Sequence, residues 1–92
     1  MNNLLEQIKY TAVLLYQNKE TEGINMVSKL IGQFQSLLQN MTQTQLKTGG
    51  NFAVLMMREL IECYERQDMI GMADCLMEKS TLFVQFMNQT QA

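Results

Sequence analysis

Residues 20–41 read ETEGINMVSKLIGQFQSLLQNM, and their periodicity decides the fold class. Placed at 100° steps, Ile24, Val27, Leu30, Ile31, Phe34, Leu37, Leu38 and Met41 fill one half of a cylinder. Asn25, Ser28, Lys29, Gly32, Gln33, Ser36 and Gln39 fill the other half. Apolar residues at these i, i+3, i+4, i+7 spacings define an amphipathic α-helix, whereas strict alternation would define a strand. Asn18 is the expected N-cap, and Glu20 and Glu22 fall near the positive end of the helix macrodipole. Gly23 and Gly32 each weaken a helix by about 1 kcal/mol relative to alanine, so they point to close backbone packing.

Working outward, the preceding residues give a first helix over about 3–17. Leu4, Leu5, Ile8, Ala12, Leu15 and Tyr16 share a face, while Val13 and Leu14 fall off it toward a second contact. After the second helix, residues 42–50 (TQTQLKTGG) are polar and end in a glycine pair, which reads as a long connecting loop. Asn51 is then the expected cap of a third helix over about 52–66. Its apolar arc holds Phe52, Ala53, Val54, Met56, Met57, Leu60, Ile61, Cys63 and Tyr64. Arg58, Glu59, Glu62, Glu65 and Arg66 lie opposite, as a solvated face with i,i+4 charge pairs.

Asp68 caps an expected fourth helix over about 69–88, where the pattern changes. Met69, Met72, Leu76, Phe83 and Phe86 make one apolar seam, and Ile70, Ala73, Met77, Val84 and Met87 make a second beside it. Asp74, Glu78, Thr81 and Gln85 form a narrow polar stripe. A surface helix of a small monomer buries one seam, so Ile70, Ala73, Met77, Val84 and Met87 are the expected partner or dimer interface.

The chain has 92 residues, enough for a single domain. With no proline to break them, the helices are expected to form an all-α, up-down four-helix bundle made of two helical hairpins. Tyr16 and Gly23 recur as Tyr64 and Gly71, an offset that suits two similar hairpins.

Composition narrows the function. A net charge of −2 with scattered basic residues argues against nucleic acid as a partner. The lack of a long apolar run or a signal-peptide start predicts a cytoplasmic protein outside the membrane. The sequence has no histidine, and Cys63 and Cys75 are not a CxxC pair, so neither a metal site nor a cofactor is expected. No nucleophile elbow, phosphate loop or convergent acid pair stands out, so catalytic residues are expected to be none. The 9 methionines read first as core filling and second as an adaptable binding surface.

The segment 68–78, DMIGMADCLME, resembles a motif of small uncharacterised bacterial helical proteins. In that motif an acidic helix start precedes Ala-Asp-x-Leu-x-x-Glu; Asp68, Ala73, Asp74, Leu76 and Glu78 match it, with the last spacing one residue short. The paired hairpins also resemble flagellar export chaperones in architecture, which implies a small bundle that holds an unfolded protein tail. The expected function is therefore a non-enzymatic protein–protein interaction module, a chaperone or adaptor that forms a homodimer or holds a partner helix. The alternative is a small-molecule binder with Tyr10, Tyr16 and Tyr64 around an interior cavity.

Overall fold

The computed structural model describes residues 3–90. Helix α1 is Asn3–Tyr16, α2 is Glu20–Gln39 and α3 is Gln43–Glu65. Segments Met69–Cys75, Leu76–Ser80 and Thr81–Thr90 follow one another without a break as a single helix, α4, whose middle segment is π-helical. Among the described residues there is no strand. Each helix packs on its sequence neighbours, and α1 closes the ring against α4, giving the expected all-α four-helix bundle. Gln33 Nε2 donates to Gln7 Oε1 across α1 and α2, and Lys79 pairs with Glu59 across α3 and α4, as antiparallel neighbours require.

The core forms because each helix turns one apolar stripe inward. Ile8 and Leu15 from α1, Val27, Leu30 and Phe34 from α2, Met56 and Leu60 from α3, and Met72, Leu76 and Phe83 from α4 are almost wholly buried. Each such side chain contributes about 1.5–3 kcal/mol. Phe34 and Phe83 meet edge to face with centroids 6.0 Å apart, joining the diagonal helices α2 and α4. Met41, Met56, Met57, Met72 and Met87 are buried too, which fits the core-filling reading of the methionines.

The expected loop over 42–50 is not there. Thr42 and Gln45 form a capping box: Thr42 Oγ1 accepts from the Gln45 amide (3.1 Å), and Gln45 Oε1 accepts from the Thr42 amide (2.8 Å). Two orphan amides are satisfied at once, so α3 starts eight residues before the expected cap, Asn51, which lies within the helix. Gln45 Nε2 also donates to Thr90 Oγ1, tying the start of α3 to the end of α4. Gly49 belongs to this helix for a packing reason, because a Cβ there would lie 2.8 Å from the Phe86 ring.

Asn18 is likewise not the cap of α2. It sits at φ 60° as the left-handed residue that ends α1. The Lys19 amide bonds back to Leu14 O (2.9 Å) and the Asn18 amide to Leu15 O (3.1 Å), the paired bonds of a Schellman motif. The α3–α4 turn repeats it: Gln67 has φ 55°, Asp68 bonds to Cys63 O (2.9 Å) and Gln67 to Tyr64 O (3.1 Å). Corresponding residues are thus one step further apart than the recurrence of Tyr16 and Gly23 as Tyr64 and Gly71 implies. The two turns are equivalent, with Leu14 and Cys63 buried at matching places. Asp68, as expected, caps α4, its Oδ1 accepting from the Gly71 amide at 2.9 Å.

Candidate interaction surface

The second seam of α4 does not form a single surface. Ala73, Val84 and Met87 are buried within the chain, whereas Ile70 (52% exposed) and Met77 (41%) face outward. For Val84 and Met87, which lie beyond it, the π turn is the physical cause. One extra residue in the turn rotates everything after it by about 100° relative to a plain α-helix. The inward face therefore runs from Met72, Ala73 and Leu76 through Ser80 to Phe83, Val84 and Met87, drawing on both sequence seams. Phe86, from the first seam, is left half-buried. Thr81 Oγ1 donates to Leu76 O five residues back (2.9 Å), and the buried Ser80 hydroxyl donates to Met56 Sδ (3.2 Å). The polar atoms of the wide turn are thereby satisfied.

Of the five residues expected at an interface, only Ile70 and Met77 remain available. The α4 methionines fare similarly: Met72 and Met87 are buried, Met69 is half-buried and Met77 is exposed. Tyr10 and Tyr16 are exposed as well, so their hydroxyls do not line an interior cavity. Tyr16 instead donates its hydroxyl to Asp74 on α4, and that carboxylate partner raises the phenol's pKa.

Polar residues Asp74, Glu78 and Gln85 stay exposed and divide the outer surface of α4. Ile70 and Met77 are exposed on the helix whose Asp74 accepts from Tyr16 of α1. On the α3 side the apolar surface is broader. Leu82 (56% exposed) stands beside Phe52 and half-buried Phe86 around a groove of about 280 Å³, which Thr48 and Gly49 complete. A second groove of about 290 Å³ between α3 and α4 is lined by Leu55 and by the charged side chains of Arg58, Glu59, Glu62 and Lys79. Leu55, the most exposed large apolar residue at 58%, and Val54 (49%) sit on the outward side of α3.

The sequence pattern places Phe52 and Val54 in the inward arc and Leu55 and Leu82 in no seam, although at about 100° per residue Val54 and Leu55 already turn away from buried Ala53. The capping box Thr42-x-x-Gln45 extends the helix back and so lengthens its outward face. A helix begun there carries an outward line of Lys47, Asn51, Val54, Leu55, Arg58 and Glu62, all exposed.

Nucleophilic chemistry has little to work with. Burial pushes the Cys75 thiol up to about 12, and it donates to Met56 O (3.7 Å). Burial also raises Cys63, helped by the nearby Asp68 carboxylate. Both thiols are free and protonated at neutral pH, when the reactive form would be the thiolate. Lys79 is held more basic by its hydrogen bond to Glu59. Among the described residues, no group of three or more histidine, cysteine, aspartate or glutamate side chains could hold a metal ion. Nor is any helix of the described residues long and apolar enough to cross a membrane.

Residues 1–86 match a domain of unknown function, DUF8042, and the chain belongs to that family. No match was found among curated proteins or among solved structures.

Proposed function

We propose that this DUF8042 member is a non-enzymatic interaction module of the cytoplasm, an adaptor or chaperone that binds protein through the outer surfaces of α3 and α4. The observation that carries the reading is the exposure of Phe52 and Leu82 around one shallow groove and of Val54 and Leu55 on the outward side of α3, in a chain whose core is already closed. Large apolar side chains grouped on a folded surface are stabilised by covering them, at about 25 cal/mol per Å² removed from water. An apolar groove between two helices, with charged side chains lining a second groove on the same two helices, suits an amphipathic partner helix, which buries its apolar stripe and keeps a polar edge. Buried protonated thiols and satisfied core hydroxyls fit a structural role for those groups.

Affinity capture from cells that carry the protein tests this. Wild type is compared with Leu55→Lys and Leu82→Lys, and with Ser28→Lys on the polar side of α2 as control. The reading expects a defined protein, a further copy of the chain included, to be held by wild type and the control and lost from the first two. Equal capture by all four overturns it.

A further inference from the structure

The outward line of α3 also carries information about the occupant. Lys47, Asn51, Val54, Leu55, Arg58 and Glu62 recur at four- and three-residue steps, so they form one stripe. All are exposed, on the side of α3 opposite buried Ala53, Met56 and Leu60. The ion pairs among the described residues are Arg66–Asp68 and Lys79–Glu59, so the charges of this stripe are not committed to either. Their order along the helix is basic, neutral, apolar, apolar, basic, acidic.

That order is self-complementary when reversed. We propose that the stripe docks on the same stripe of a second copy, with the two α3 helices antiparallel and a two-fold axis between Val54 and Leu55. Val54 then meets Leu55 of the second copy, Asn51 faces its Arg58 and Lys47 faces its Glu62, each contact occurring twice. A parallel arrangement would set Lys47 on Lys47, Arg58 on Arg58 and Glu62 on Glu62, so like charges select against it. The head-to-tail helix dipoles favour the same orientation. Phe52 and Leu82 lie at the margin and extend the contact onto α4. Such an interface belongs to the small class, below about 1,200 Å² in total, and its dimer is correspondingly weak and reversible. The inference rests on the proposed interaction role and names its occupant.

Charge reversal tests it. Lys47→Glu places two Glu–Glu contacts in its homodimer, and Glu62→Lys places two Lys–Lys contacts in its own. Each alone is expected to dissociate on the order of tenfold more readily than wild type in sedimentation equilibrium, with unchanged helical circular dichroism. Mixed one to one, the two variants restore both opposite-charge contacts, so the mixture is expected to regain wild-type association. Leu55→Lys, at the centre, is expected to abolish it. Association of either single variant as strong as wild type, or a mixture no better than its components, overturns the arrangement. Wild type that stays monomeric at every concentration overturns the second copy as occupant. If Leu55→Lys nevertheless loses a captured partner, the interaction reading stands without it.

Discussion

Met77 and Val84 are one heptad apart on the same sequence seam, yet the π turn puts Val84 inside (2% exposed) and Met77 outside. Replacing each with lysine therefore separates the structure from the sequence pattern. Val84→Lys removes a buried side chain contributing about 1.5–3 kcal/mol. It also inserts a charge among Phe83, Met87 and the core, at a cost of several kcal/mol more. A domain of this size is stable by about 5–14 kcal/mol, so the loss approaches the whole. Met77→Lys keeps its aliphatic stem along the surface and places its ammonium beside Asp74 and Glu78, so the change is expected within about 0.5 kcal/mol. Urea unfolding followed by far-ultraviolet circular dichroism at low micromolar protein, where self-association is negligible, reads both. Comparable destabilisation by the two substitutions would refute the rotation of the seam. So would a stable Val84→Lys.

Other consequences are more local. A methyl carbon added at Gly32 would meet nothing within 4 Å, so Gly32→Ala is expected to stabilise by about 1 kcal/mol. At Gly23 the added carbon lies 2.7 Å from Leu15 Cδ2 and the gain is lost; thermal melts compare the two. The left-handed backbone of Gln67 costs about 1 kcal/mol, so Gln67→Gly is expected to raise the urea midpoint. Asp68→Ala removes the side-chain cap of α4 and is expected to lower stability by about 1 kcal/mol in the same assay. For Cys75, the thiol is raised from 9.0 to about 12 in the folded chain, so its contribution is full below pH 9 and falls as pH rises toward 12. Stability measured across that window should decline, and a Cys75→Ala variant should decline less.

The bundle was legible because the four apolar periodicities are long and the Asp68 cap is unambiguous. Residues 42–50 misled because their polar composition and two glycines carry the look of a loop. A capping box and the close approach of Phe86 to Gly49 override that composition, and the second of these is a tertiary contact that no local pattern reports. Asn18 misled because asparagine suits both a helix N-cap and a left-handed helix end, and only the backbone bonds distinguish them. On α4 the double seam was real as a pattern, but a uniform 100° step assumes a uniform helix. The π turn brings Val84 and Met87 of the second seam inside beside Phe83 of the first, and Ala73, upstream of it, is buried next to Met72, so all three expected interface residues belong to the core. Val54 misled because the expected inward arc of α3 is too wide; the earlier start of the helix adds only Lys47 and Asn51 to its outward line.

Site-specific photo-cross-linking in living cells tests the contact surface most directly, with the photoreactive residue placed at position 55 or 82 on one set of chains and at position 28 on another. Covalent adducts of defined mass at 55 and 82, and none at 28, are the result that follows from covered outer faces on α3 and α4. Uncross-linked chain at 55 and 82, or adducts spread equally over all three positions, would contradict it.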